Sequence, residues 1–364
     1  MQETSDSTEK IASQLIQRMS LFQDMPLTFN ALVVEKTARC NAQCAMCYQS
    51  AGPRGSDEIG DVEIAVADLL PVIDSAAHDP HIQSRLHLTG GEAFMKLNDC
   101  LILFERAKAA GFLDITSTTN AFWAKKPKNA LAICRDLHSA GVTGLEVSWD
   151  FWHKPFIPIE AINNCLMAAA KYGIGVNLRL LTTKSHSIEE ALEGLDQNAL
   201  SRAGRISSGP VFPNGRASRD IDQNSLFKSG SLDDNCHTSL NLTVNAGGDV
   251  FPCCAGLDQT NHLRFGNIRT SSISDIAASM NKSLLIRTIV FHGISALLPV
   301  LARAGFTLER ENYNSICNLC WSIFKEPEHV AAILAHFSSL ESEAVDNAIA
   351  VLEKQYPSLV GVAG

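Results

Sequence analysis

RLHLTGGEAFMKLNDCLILFERAKAAGFLDITSTTN (residues 85–120) holds one full period of the pattern that decides the fold. RLHLTGGE (85–92) is a short apolar strand ended by glycines. LNDCLILFERAKAAG (97–111) has apolar residues at helical spacing and a glycine stop, and LDITSTTN (113–120) is a strand again. Upstream, FNALVVEK (29–36) is a strand. Downstream the alternation goes on: NALAICRDLHSAG (129–141) helix, GLEVSWD (144–150) strand, IEAINNCLMAAAKYG (159–173) helix, IGVNLRLLTT (174–183) strand, SIEEALEGL (187–195) helix, GRISSGPVF (204–212) strand. Strands recur roughly every thirty residues, which implies a parallel sheet with right-handed crossovers. Six such units fall two short of a closed eight-fold barrel. The expected fold is therefore α/β, a partial (β/α)6 TIM-like barrel, with its chemistry at the carboxyl ends of the strands.

Beyond the barrel the texture changes. PNGRASRDIDQNSLFKSGSLDDN (213–235) is polar and reads as a linker. SLNLTVNAGGDVFPCC (239–254) reads as a hairpin, 272–305 as helical, and 327–355 as a terminal helix. Residues 8–24 read as a short amphipathic helix. The implied domains are an N-terminal helical extension (1–30), the barrel (31–215), a small α+β domain (216–326) and a C-terminal helix (327–364).

The chain has 364 residues, of which 46% are hydrophobic and 19% charged, a globular balance. A net charge of −9 speaks against nucleic acid or an anionic membrane surface as partner. The polar, acidic start MQETSDSTEK is no secretory signal, and no apolar run reaches the ~18 residues of a membrane span. A cytoplasmic location is expected. Eleven cysteines, an odd number, fit a disulfide framework poorly in such a chain. Cys100, Cys134 and Cys165 lie in helical patterns and read as buried small hydrophobes.

The remaining cysteines concentrate. TARCNAQCAMCYQSAG (37–52) carries Cys40, Cys44 and Cys47 in the spacing C-x3-C-x2-C. Three thiolates on one loop suit a zinc site with a distant fourth ligand. They also suit an iron–sulfur cubane with one iron left open to a small bidentate molecule. Cys236, Gly248 and Cys253 form C-x11-G-x4-C, followed by Cys317-x2-Cys320. Four thiolates there would saturate a 4Fe–4S cluster or a structural zinc ion.

The C-x3-C-x2-C loop after the first strand of a partial barrel resembles that of the radical S-adenosylmethionine (SAM) enzymes. The resemblance covers residues 31 to about 322. It implies that Cys40, Cys44 and Cys47 hold a 4Fe–4S cluster whose open iron is chelated by the amino and carboxylate groups of SAM. The cluster, reduced by a flavodoxin or ferredoxin, would cleave SAM to a 5′-deoxyadenosyl radical that abstracts a substrate hydrogen. TGGEAF resembles the family's Gly-Gly-Glu motif, so that Gly90, Gly91 and Glu92 would meet the cofactor's amino group. Thr119, Asn120, Ser148 and Asp150 would face the ribose, and Arg179 the cofactor carboxylate. Met46 stands where the family commonly has an aromatic residue beside adenine.

The second cysteine set resembles the family's auxiliary-cluster extension, in its short "twitch" or longer SPASM form. No cysteine follows Cys320, which fits the shorter form with one auxiliary cluster. Cys253 fits the ligand spacing best. The neighbouring Cys254 is then a packed thiol or a hydrogen-atom donor to a substrate radical. His153, in VSWDFWHKPF (147–156), is a candidate acid/base, and Arg216 in PNGRA lies near the last strand. The expected substrate is a small polar natural-product precursor, an amino sugar, amino acid or nucleoside, that is oxidised or epimerised. A ribosomally made peptide is the alternative, and a non-catalytic iron–sulfur carrier or sensor the distant one.

Overall fold

The computed structural model describes residues 26–228, 231–236, 240–253 and 262–355. The helix expected at 8–24 and Cys254 lie outside these residues. Strand β1 (Leu32–Glu35) leads into the cysteine loop, which is followed by a minute hairpin, β2 (Ala51–Gly52) and β3 (Gly55–Ser56). Then come β4 (Arg85–Thr89), β5 (Asp114–Thr119), β6 (Gly144–Ser148), β7 (Gly175–Thr182) and β8 (Arg205–Pro210). β1, β4, β5, β6, β7 and β8 pair side by side, all parallel, as the six-unit rhythm requires.

The crossovers are α1 (Val66–Ala77), α2 (Leu97–Ala110), α3 (Pro127–Ser139) and α4 (Ile159–Lys171), with two short helices, α5 (Ile188–Leu192) and α6 (Gln197–Leu200), before β8. α2 stops where Gly111 takes φ +98°, a left-handed conformation that glycine adopts without a Cβ clash. α1 was not legible in the sequence. It starts without a side-chain cap and carries Pro71 inside, so the usual start signal is missing and a breaker stands in its middle.

Alternation along the barrel strands divides two faces. Leu86, Leu88, Ile115, Leu145, Val147, Val176, Leu178 and Leu180 are buried in the main core with the helices, alongside Cys100, Cys134 and Cys165, as expected. The other face is polar, unlike the all-apolar strands of a doubly covered parallel sheet. On it His87 bridges Thr116 (2.8 Å) and Thr118 (2.9 Å), Asn177 donates to Glu146 (3.3 Å), and Ser207 donates to Asn177 (2.9 Å). Burial pushes His87 down to about 4, so it is neutral there.

The C-terminal region is welded to this sheet. β9 (Leu242–Val244) pairs parallel with the free side of β1, β10 (Asp249–Phe251) returns antiparallel, and β11 (Gly266–Asn267) forms the edge. The expected hairpin thus extends the barrel wall into a nine-stranded sheet. It follows the short helix α7 (Ala217–Asp220) and precedes α8 (Ile273–Lys282), α9 (Leu284–His292), α10 (Leu298–Arg303), α11 (Ile316–Lys325) and α12 (Pro327–Gln355). Among the described residues no helix is long and apolar enough to cross a membrane.

Candidate active site

The cysteine loop lies at the carboxyl ends of the strands. Cys40 and Cys44 are buried and Cys47 is half-buried. They share a second, separate apolar cluster with Met46, Trp152, Val211, Ala217, Ile221 and Leu226. Burial pushes Cys40 up to about 12 and raises Cys44 and Cys47 as well, and the charges of Cys40 and Cys47 each raise Cys44 further. Thiols so placed stay protonated at neutral pH until a metal cation takes the proton's place.

The donor set, three thiols on one short loop, fits an iron–sulfur cluster, whose irons take thiolate ligands one apiece.

Gly90 and Gly91 owe their identity to the cysteine loop. Gly91 donates to Thr37 O (2.7 Å), and Glu92 N–H donates to Arg39 O (2.8 Å). A Cβ on Gly90, at φ +137°, would stand 2.6 Å from Thr37 O, and one on Gly91 2.2 Å from Arg39 O. The turn after β4 thus presses its backbone onto the segment that enters the loop. Just before that segment, buried Lys36 pairs with Glu63 (2.6 Å) and Asp99 (3.1 Å).

The Glu92 carboxylate accepts from Asn120 N–H (2.7 Å), Phe94 N–H (3.2 Å) and the Thr119 hydroxyl (2.9 Å). Thr119 Oγ1 in turn accepts from Trp123 Nε1 (3.0 Å). Asn120 Nδ2 reaches Asn41 Oδ1 (2.9 Å) and Cys40 Sγ (3.7 Å). In this structure Asn120 therefore ties the end of β5 to the cysteine loop, and Thr119 ties it to the turn after β4. Burial pushes Glu92 up to about 7 from the usual 4.5, outweighing the three donors that favour its anion. A raised carboxyl pKa means that the folded chain holds a proton which the unfolded chain releases near pH 4.5. The stability Glu92 contributes is thus full below about 4.5 and is lost as pH rises through about 7. Urea midpoints of the metal-free protein should fall over that window, and Glu92→Gln should flatten the fall. An unchanged slope in Glu92→Gln would mean that another group titrates.

Asp150 is fully engaged. Its Oδ1 accepts from Trp152 N–H (3.1 Å) and meets His153 Nδ1 (2.8 Å), while Oδ2 accepts from Leu181 N–H (3.3 Å). His153 is thereby oriented with its other ring nitrogen free of Asp150. Ser148 ends β6 directly across from Arg179 on β7. The Arg179 guanidinium lies over Gly209 of β8, where a Cβ would sit 2.6 Å from Nη2. Outside this group, Phe151 stacks on His186 with ring centroids 3.5 Å apart, and Trp152 meets the same ring edge-on.

The second cysteine set is assembled in part. Cys317 and Cys320 stand one turn apart in the first half of α11, which is capped by Ser315, so the positive end of the helix faces any anionic group bound there. Charges on Cys236 and Cys317 both raise Cys320, placing the three together, and Cys253 follows β10 against the same core. The ten described cysteines are all free thiols.

Comparison with known proteins agrees with this geometry. The iron–sulfur cluster-binding domain family called SPASM matches residues 236–321, from the first auxiliary cysteine to just past the last. YydG of Bacillus subtilis, whose name assigns it to peptide biosynthesis, is 26% identical over 300 residues, 80% of this chain and 91% of YydG. Streptococcus suis SuiB bound to its precursor peptide SuiA superposes with a TM-score of 0.54 at 14% identity, covering 77% of this chain and 70% of that one. SuiB bound to S-adenosylmethionine gives 0.53 at 14% identity, over 72% and 67%. The structure of anSMEcpe with bound S-adenosylmethionine gives 0.52 at 12% identity, over 87% and 99%. The chain therefore shares the partial-barrel fold of these S-adenosylmethionine-bound structures, and its residues 236–321 match an iron–sulfur cluster-binding domain.

Proposed function

We propose that this chain is a radical SAM peptide maturase: Cys40, Cys44 and Cys47 hold the SAM-binding cluster, Cys236, Cys253, Cys317 and Cys320 an auxiliary one, and the substrate is a ribosomally made peptide. The observation that carries the chemistry is one loop with three clustered thiols, braced from β4, β5 and β8. The peptide rests on the similarity to YydG along most of its length, supported by the likeness to SuiB with its precursor. This reading displaces the small polar precursor that the sequence alone suggested. Composition and loop motifs carry no mark of substrate size, so the sequence had no means of separating the two.

When bound, the cluster and S-adenosylmethionine supply a 5′-deoxyadenosyl radical able to take a hydrogen atom from an unactivated carbon. The residues of the chain do the rest. Gly90, Gly91 and Glu92 would shape the pocket for the cofactor's amino group; Met46, in the apolar cluster with the cysteines, would pack beside adenine; Ser148 and Arg179 would offer a hydroxyl and a guanidinium from adjacent strands. Thr119, Asn120 and Asp150 serve by holding loops in register. His153, whose Nδ1 meets Asp150, would take or give a proton. Cys254, beside a ligand cysteine, is the hydrogen-atom donor if the product is inverted. A flavodoxin or ferredoxin delivers the electron.

The test is anaerobic turnover with a short precursor peptide in D2O. Peptide-dependent 5′-deoxyadenosine is expected. One deuterium gained at an α-carbon marks epimerisation and a loss of 2 Da marks oxidation; inverted product from Cys254→Ala would remove the thiol as donor. Consumption of amino sugars, amino acids or nucleosides, with no peptide altered, would refute the peptide reading.

A further inference from the structure

PNGRA (213–217), read from the sequence as the start of a linker, is instead buried: Asn214 is 1%, Arg216 2% and Ala217 0% exposed. The segment follows β8 and packs onto the loop that follows β1, the strands at opposite ends of the six parallel ones. Arg216 makes the join. Its backbone N–H donates to Cys47 O (3.0 Å), Nη1 to Cys44 O (3.0 Å), Nη2 to Ser50 O (2.6 Å) and Nε to Asp57 Oδ2 (3.0 Å). Asp57 also takes Arg219 (2.8 Å), which reaches Glu58 as well (3.1 Å). Gly215 makes the approach possible. It sits at φ +57°, and a Cβ there would stand 2.1 Å from Tyr48 O.

We propose that Arg216 is a positioning residue for the redox centre, fastening the cysteine loop across the open side of the barrel and setting the reduction potential of the cluster held there. The inference rests on the reading of Cys40, Cys44 and Cys47 as cluster ligands. A planar fork donating to two carbonyls of the ligand loop fixes that loop's shape in a way that a lysine cannot reproduce. The same cation is buried against the loop that carries the three cysteines, so its field on a cluster held there is weakly screened. Reduction adds one negative charge to the cluster, so the cation makes reduction easier and raises the potential. Asp57, the partner of Arg216, partly offsets this.

Structural and electrostatic roles separate in three variants, read by iron content, circular dichroism and potentiometric EPR, following the signal that S-adenosylmethionine perturbs. Arg216→Gln should lower the potential by about tenfold in the reduction equilibrium, about 59 mV for one electron. Arg216→Lys should keep a potential near wild type but take up less iron, its fork being lost. Asp57→Asn, at a half-exposed carboxylate, should move the potential the other way, upward. Unchanged potentials, or a shift of the same sign in Arg216→Gln and Asp57→Asn, would overturn the proposal. Should Arg216→Gln hold no iron, Asp57→Asn decides: an upward shift supports the proposal, and no shift or a downward one overturns it. A wild-type chain that takes up no such cluster refutes the functional reading itself.

Discussion

Changing Cys40, Cys44 and Cys47 together to alanine is expected to abolish 5′-deoxyadenosine formation and to lower bound iron from about eight to about four atoms per chain, one cubane being lost and the auxiliary one kept. The chain should still fold. Each side chain loses only a sulfur, the loop is held by backbone bonds from Gly91, Glu92 and Arg216, and the main core does not include these residues. The complementary change, Cys317 and Cys320 to alanine, should remove the other half of the iron and leave the S-adenosylmethionine-sensitive signal. Iron assay and EPR on the two variants check the division. Loss of all iron from the first variant would mean that the two sites do not load independently.

Gly91→Ala should be nearly as damaging to the site, through packing alone. The added methyl would stand 2.2 Å from Arg39 O, against backbone that cannot rotate away. Relief requires the turn after β4 to part from the loop entry, which breaks the bonds from Gly91 N–H to Thr37 O and from Glu92 N–H to Arg39 O. Overpacking and two lost hydrogen bonds together cost on the order of 3 kcal/mol. The melting temperature of the metal-free chain should drop by roughly 4 °C. Cluster uptake should fall with it, because Cys40 follows Arg39 directly. A variant with wild-type melting and iron content would show that the turn and the loop are not in contact.

The barrel was legible because its strands are short and recur at a helix-length period, and because β4, β6 and β7 alternate apolar with polar residues. Pro71 hid α1, and the wedding of β9 to β1 was invisible because parallel pairing between residues some two hundred apart leaves no local trace. In the site, the cysteine spacing and TGGE announced themselves. The roles of their neighbours did not. Thr119, Asn120 and Asp150, expected from the sequence to face the cofactor's ribose, also brace the protein's own loops through their hydrogen bonds. Polar residues at strand ends serve either purpose, and spacing does not tell them apart. Arg216 was masked by its setting: a stretch rich in Gly, Asn, Ser and Asp looks solvated, and only the tertiary contact with the cysteine loop shows one buried cation within it. The signal that might have found it is the PNG turn immediately after a barrel strand, which returns the chain towards the mouth.

The most direct test of the central claim is the EPR spectrum of the anaerobically reconstituted, reduced protein with and without S-adenosylmethionine. A reduced 4Fe–4S signal that changes on adding S-adenosylmethionine, and that vanishes when Cys40, Cys44 and Cys47 are replaced, is the result expected. Zinc in place of iron at that loop, or a cluster signal indifferent to S-adenosylmethionine, would contradict it.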